Sequence, residues 1–261
     1  MNIISEIDKW MSLRNSLKGQ VGFVPTMGAL HSGHAELIKR SLQENDFCVV
    51  SIFVNPTQFN DSADFKNYPE SHSNDIELCE ELGVHVVLLP SYDLLYVDSY
   101  RYRINEYDFS KELCGSHRED HFTGVLTVVM KLLNLVRPHR AYFGEKDYQQ
   151  YLLVKDMCAA FFMDVSIIAC PTVRDRDGLA KSSRNRLLDH KSRQVAAHIY
   201  ETIASPSTDI EVQSTLENLG MEVDYVVTKD KRRFVAVTVK SGDSHVRLID
   251  NTPINKTLKS A

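Results

Sequence analysis

With 261 residues, 43% of them hydrophobic and 25% charged, the chain has enough apolar material for one large core and a smaller second one. Its 30 Lys and Arg against 35 Asp and Glu leave a net charge of -5, which excludes the basic footprint of a nucleic-acid binder or of a protein held on an anionic membrane. The five cysteines are scattered without metal-ligand spacing, the first ten residues carry acids where a signal peptide needs a basic start, and no apolar run is long enough for a membrane span. Reduced core thiols, cytoplasmic residence and a small-molecule substrate are therefore expected.

In chain order, short β-branched apolar runs fall at Val21 to Pro25, Phe47 to Val54, His85 to Pro90, Ala141 to Gly144 and Val165 to Val173, and each reads as a strand buried on both faces. Helical patterns lie between them at His34 to Glu44, Ser73 to Leu82 with Gly83 as its cap, Phe122 to Val136 before Pro138, and Asp147 to Phe162. This alternation predicts an α/β fold, a Rossmann-like, doubly wound parallel sheet over residues 1–172. Past Val173 the pattern changes to a helix-like stretch from Asn185 to Ala204, a break at Ser205 to Thr208, and alternating runs at Met221 to Thr228, Phe234 to Lys240 and His245 to Ile249. Residues 173–261 are expected to form a second, smaller α+β lid domain with an antiparallel sheet.

In a doubly wound sheet ligands bind beyond the carboxyl ends of the strands, and the loops after these strands are rich in polar groups. The first, Met27-Gly-Ala-Leu-His-Ser-Gly-His34, sets two glycines and two histidines at a strand-to-helix turn, where unpaired N–H groups and the helix dipole suit a phosphate. His31 and His34, three apart, face the same way. The second loop carries Asn55 and Gln58, amides able to orient a carboxyl or hydroxyl; taken alone it reads better as an ordinary Asn-Pro turn. In the third, Gly144 permits a sharp turn and Glu145, Lys146, Asp147 and Gln150 follow; a lysine at a helix start implies an anion nearby. The fourth brings Lys181, Ser182, Ser183 and Arg184 together, hydroxyls beside cations that suit a triphosphate, although a solvated charged linker has the same composition.

The segments PTMGALHSGH, FVNPTQF, GEKDYQQ and PTVRDRDGLAKSSRN, joined by HFTGVLTVVMKLLNLVRP and RLIDN, closely resemble the pantothenate synthetase (pantoate-beta-alanine ligase) family over essentially the whole chain. The first is also a variant of the HIGH-type signature of nucleotidyltransferases and class I aminoacyl-tRNA synthetases, so another transferase of that superfamily is the alternative. The resemblance implies an ATP-dependent ligase that joins pantoate to β-alanine through a pantoyl adenylate, releasing AMP and pyrophosphate.

Carried over residue by residue, the resemblance makes Met27, Gly28, Ala29, Leu30, His31, Ser32, Gly33 and His34 the ATP-binding turn, with His34 as proton donor and His31 its partner. Gly144, Glu145, Lys146 and Asp147 bind the nucleotide, Lys146 on phosphate and Asp147 on ribose; Val173 contacts adenine through its backbone, and Lys181, Ser182, Ser183 and Arg184 cover the triphosphate. Gln58, Gln150 and Asn55 are implied to bind pantoate, and Gln58 also β-alanine. Mg2+ is implied on the phosphates with Asp75 in support, and a homodimer is implied as the assembly. The sequence departs from the family at Lys181, usually Met or Leu, and at Glu70, usually Arg, and its carboxy-terminal domain reads as short.

Overall fold

The protein is described from a computed structural model that covers residues 1–60, 62–69 and 71–254. Glu70 lies outside the described residues. The chain divides into two compact units, Met1–Pro171 and the remainder from Thr172.

The first unit alternates strands and helices: β1 (Asn2–Ile4), α1 (Ile7–Ser16), β2 (Val21–Thr26), α2 (Ser32–Glu44), β3 (Phe47–Ile52), α3 (Ser62–Lys66), α4 (His72–Leu82), β4 (Val86–Leu88), α5 (Tyr92–Leu95), α6 (Cys114–His117), α7 (His121–Val136), β5 (Arg140–Gly144), α8 (Tyr148–Ala160) and β6 (Ser166–Cys170). The strands form one parallel sheet in the order β1-β4-β3-β2-β5-β6. The five expected strands are all present, and β1 is an addition at the edge, paired with β4. Helix ends follow the expected chemistry: Gly83 takes φ 82 to close α4, and Arg137, before Pro138, takes φ 49 to close α7. Helix α8 begins one residue later than expected, after a 3-10 turn over Glu145–Asp147.

Helix α1, which the sequence reading did not mark, buries chiefly Trp10. Its indole N–H donates to Leu135 O at 2.8 Å, and Arg14 donates to Val136 O at 2.9 Å and Arg137 O at 2.6 Å. These are the last carbonyls of α7, which a helix cannot satisfy by itself and which favour a cation.

Chain order reverses at β2 and β5, since β3 and β4 run out on one side of β2 while β5 and β6 run out on the other. The β2–β3 ladder continues to Thr26↔Ile52 and the β5–β6 ladder to Gly144↔Cys170, but β2 and β5 pair only at Gly22↔Arg140 and Phe23↔Ala141. Past those rungs the strands part, which opens a crevice at the switch point between their carboxyl ends.

The second unit holds α9 (His190–Ala204), α10 (Asp209–Asn218) and an antiparallel meander of β7 (Glu222–Lys229), β8 (Arg232–Ser241) and β9 (Ser244–Pro253). Its core packs Ile199, Ile203 and Leu216 against Val235 and Val237. The break between the helices is fastened by Arg233, 4% exposed, which pairs with Asp209 at 2.8 Å and donates to the carbonyls of Ile203 and Ser205 at 3.0 Å. Helix α10 was not marked from the sequence, although Thr208 and Glu211 form a reciprocal cap at its start.

Candidate active site

At the end of β2 the Thr26 hydroxyl donates to Ser51 O at 2.7 Å and accepts from the Gly28 N–H at 3.2 Å, which turns the chain out of the sheet. Gly28 and Ala29 then take φ of 82 and 48. A Cβ on Gly28 would be strained by that φ and would sit 3.0 Å from both Asp75 Oδ2 and Ile52 Cγ2. Successive amides in such a turn form a nest suited to an anion. Here the anion is the protein's own: Asp75, 2% exposed, accepts from Ala29 N–H at 2.8 Å and Leu30 N–H at 2.7 Å, and from Ser71 Oγ at 3.2 Å.

This arrangement bears on two expectations. Ala29 and Leu30, 0% and 5% exposed, turn their N–H groups to Asp75 and shape the turn. The carboxylate of Asp75 is committed to backbone donors, so its geometry gives no support to the metal role. Among the described residues no three His, Cys, Asp or Glu side chains converge as a metal site.

The two histidines start α2. His31 is its N-cap and accepts from Gly33 N–H on Nδ1 at 3.1 Å, while His34 Nδ1 accepts from His31 N–H at 3.3 Å. The rings stack with centroids 4.1 Å apart. Because both Nδ1 atoms accept backbone hydrogens, each neutral ring carries its proton on Nε2 and is a donor there. Burial, followed by the charges of His31 and Lys146, holds the His34 pKa well below the ordinary 6.5. At neutral pH His34 is therefore an uncharged N–H donor.

A stability consequence follows from that depressed pKa. The unfolded chain, with an ordinary histidine near 6.5, takes up a proton before the folded one does, so His34 draws stability away as pH falls below 6.5 and contributes nothing above it. In thermal unfolding, the loss as pH falls below 6.5 is expected to be shallower in His34→Gln than in the parent; equal slopes would contradict the assignment.

Across the crevice, the 3-10 turn after β5 carries Glu145, Lys146 and Asp147, all half-buried. Lys146 Nζ lies 3.4 Å from both carboxylate oxygens of Asp147, and its charge is felt at His34. The histidines and the lysine are thus neighbours, as their loops at the switch point require. Gly144 departs from expectation: its φ is an ordinary -76, and a Cβ there would meet nothing within 4 Å. Open space, not a sharp turn, distinguishes that position.

The amides divide into those that hold the site and those that face it. Asn55, 1% exposed, donates from Nδ2 to Gln58 Oε1 at 3.0 Å and Gly124 O at 3.3 Å, while its Oδ1 accepts from Tyr96 O–H at 2.9 Å and from Thr57. The Asn55 side chain is thus hydrogen-bonded at both ends within the protein and holds Gln58. Gln58 is buried except for 8% of its surface, and its Nε2 lies 3.0 Å from Met27 Sδ. Its carbonyl accepts from Arg118 Nη2 at 3.3 Å and meets His121 Nδ1 at 2.8 Å. In α8, Gln149 is consumed by Cys114 N–H and the carbonyls of Phe109 and Glu112, whereas Gln150 is half-exposed.

Helix α7 reaches this loop because Gly124 has no side chain. A Cβ there would lie 2.4 Å from Thr57 O and 2.8 Å from Gln58 Cα, backbone atoms that cannot step aside. Gly124→Ala is expected to lower stability by roughly 1–3 kcal/mol, as overpacking does. Chemical denaturation checks this; an unchanged midpoint would show that the helix can retreat freely.

In the second unit, Val173 O accepts from Lys181 N–H at 2.9 Å in a tight hairpin whose rung is Arg174↔Ala180. The Lys181 ammonium pairs with Asp175, which Arg193 also holds at 2.8 Å. Burial pushes the Asp175 carboxyl up, but the two cations outweigh it and hold it below its ordinary range. Lys181 is thus engaged within its own unit. Ser182 caps the following turn by accepting from Arg184 N–H at 3.3 Å; Ser183 is buried and Arg184 half-buried.

Sequence reading passed over Tyr96, Arg118, His121 and Gly124, all now seen around the Asn55–Gln58 loop. His121 at the first position of α7 was the one available signal, since a histidine entering an apolar helix invites a search for a partner.

Comparison with known proteins agrees with this geometry. A family model described as Pantoate-beta-alanine ligase matches residues 1–253. The pantothenate synthetases of Bdellovibrio bacteriovorus and Coxiella burnetii are 50% and 48% identical, over 96% and 98% of this chain and 97% and 98% of theirs. A crystal structure of pantoate-beta-alanine ligase from Francisella tularensis, complexed with beta-gamma ATP and beta-alanine, superposes with a TM-score of 0.91 at 42% identity, covering 97% of each chain. Pantothenate synthetase from Thermus thermophilus gives 0.86 at 35% identity, covering 97% of this chain and 99% of that one. Since these relatives are matched over nearly their full length, the carboxy-terminal part is not short beside them, contrary to expectation. The chain therefore belongs to the pantoate-beta-alanine ligase family and is a ligase.

Proposed function

We propose that this enzyme condenses pantoate with β-alanine at the expense of ATP, giving pantothenate, AMP and pyrophosphate. The observation that carries the reading is the placing of two Nε2–H imidazoles after β2 and of the Lys146 ammonium after β5, on the two sides of one crevice, beside a loop that carries the Gln58 amide. A free carboxylate does not acylate an amine, so activation must come first. A pantoate carboxylate oxygen attacks the α-phosphorus of ATP, the bond to the bridging oxygen breaks, and pyrophosphate leaves. The β-alanine nitrogen then attacks the acyl carbon of pantoyl adenylate, expelling AMP and losing a proton.

Negative charge gathers on the equatorial oxygens as phosphorus is attacked, and donors fixed in advance stabilise it most. His31 and His34 supply N–H donors that need no protonation, and Lys146 supplies a point charge. Asp147 is proposed for the ribose, Gln58 and Gln150 for pantoate, and Gln58 also for β-alanine. Met27 and Ser32 to His34 line the phosphate side, with Gly144 leaving room beside Glu145 to Asp147. Val173 and Lys181 to Arg184 remain proposed nucleotide contacts.

Magnesium fits as an ion brought by ATP, held by phosphate oxygens and water, because it needs few protein carboxylates. It would neutralise the β- and γ-phosphates. The five buried, unlinked cysteines favour a reducing, cytoplasmic setting, and among the described residues no helix is long and apolar enough to cross a membrane. A homodimer is proposed from the resemblance.

Product analysis tests the reaction. AMP is expected only when pantoate and β-alanine are both present, in equal amount to pyrophosphate; steady turnover without the amine would point to a simple nucleotidyl transfer.

A further inference from the structure

We propose that Tyr96 is a positioning residue, whose hydroxyl acts through Asn55 to turn the Gln58 side-chain amide so that its NH2 end, not its oxygen, faces the substrate. The proposal rests on the reading that Gln58 touches pantoate. Tyr96 follows α5 and is 2% exposed, with its hydroxyl 2.9 Å from Asn55 Oδ1 and 3.4 Å from Thr57 Oγ1. An amide's oxygen and nitrogen ends must be assigned from their partners, and those of Asn55 have fixed polarity. The backbone N–H of Thr57, 3.4 Å away, can only donate, and the Gly124 carbonyl, 3.3 Å away on the other end, can only accept. The oxygen of Asn55 therefore faces Tyr96 and Thr57, and its NH2 faces Gly124 and Gln58.

The orientation propagates. Asn55 Nδ2 donates to Gln58 Oε1 at 3.0 Å, which occupies the oxygen of Gln58 and leaves Nε2 at the other end, against the Met27 thioether at 3.0 Å. Sulfur is a weak acceptor that a substrate oxygen can replace. An N–H donor suits the carboxylate and hydroxyl oxygens of a hydroxy acid, whereas the reversed amide would oppose oxygen to carboxylate. The Tyr96 O–H is the shortest donor to Asn55 Oδ1. It stays protonated throughout the physiological range, because burial pushes its pKa up to about 12. The Thr57 N–H and the Gly124 carbonyl thus fix which way the Asn55 amide points, the Tyr96 hydroxyl holds it there, and Asn55 passes that polarity to Gln58.

Steady-state kinetics with pantoate and ATP varied separately test this on the full-length enzyme. Tyr96→Phe keeps the ring packing and is expected to raise the pantoate KM roughly three- to tenfold, the worth of one hydrogen bond, leaving the ATP KM and the unfolding midpoint near the parent's. Asn55→Asp puts oxygen at both ends and drives Gln58 to the reversed orientation, whereas Asn55→Ala only frees it. The pantoate KM is therefore expected to rise more in Asn55→Asp than in Asn55→Ala, an order that simple loss of packing would reverse. A raised pantoate KM in Gln58→Ala, with no change in Tyr96→Phe, would overturn the relay alone. An unchanged pantoate KM in Gln58→Ala would overturn the substrate assignment, and the relay with it.

Discussion

Replacing Lys146 or His34 with alanine is expected to slow adenylate formation by roughly two to three powers of ten, as removal of one transition-state donor does. Pyrophosphate release in a single turnover measures it. The two variants differ in what else they remove. Lys146 pairs loosely with Asp147, at 3.4 Å, a contact worth little to stability, so its alanine variant should unfold nearly like the parent. His34 also closes the cap on α2 through His31 N–H, so its alanine variant should lose about 0.5–2 kcal/mol as well. His34→Gln separates the effects, because glutamine at that position of a helix start can accept the same N–H. The glutamine variant is expected to keep the helix and lose the rate. Near-normal single-turnover rates in both Lys146→Ala and His34→Gln would remove these residues from the chemistry.

The second large effect is expected at Asp75. Asparagine there turns an NH2 group toward one of two buried backbone donors, Ala29 N–H or Leu30 N–H, and leaves that donor unsatisfied. Such a group costs about 1–3 kcal/mol, and the turn relaxes with it. Ala29, held at φ 48 by this contact, returns toward ordinary backbone and takes His31 and His34 with it. A fall of roughly a hundredfold in adenylation follows if the imidazoles move by about 1 Å. The magnesium concentration for half-maximal rate distinguishes this from a metal role: it should stay where it is in Asp75→Asn, and a large rise would restore the carboxylate as a ligand.

The local parts of this site were legible in the sequence because their geometry is local. Histidines three apart after a glycine turn must share a helix start, and loops after parallel strands must share a sheet edge. The hold of Asp75 on the turn is not legible in the sequence, because its partners are backbone N–H groups 45 and 46 residues away that no side-chain pattern reveals. The hold of Asn55 on its loop is hidden for a related reason: its contacts with Tyr96 and Gly124 span 41 and 69 residues and involve an ordinary tyrosine and a glycine. Gly144 was credited with a turn that any residue could make. The elements passed over have little periodic signal: β1 is three residues long, α3, α5 and α6 are five, four and four, α1 buries chiefly one side chain, and α10 only Val212 and Leu216.

The two rungs that join β2 to β5 give the sheet a seam. One wing, β1-β4-β3-β2, carries the histidines and Gln58; the other, β5-β6, carries Lys146 and Gln150. No hydrogen-bonded ladder couples the wings where the chemistry is proposed to happen. Nucleotide and hydroxy acid, each gripped from both sides, would then serve as the missing rungs, and the sheet would become mechanically continuous only while the reactants occupy it.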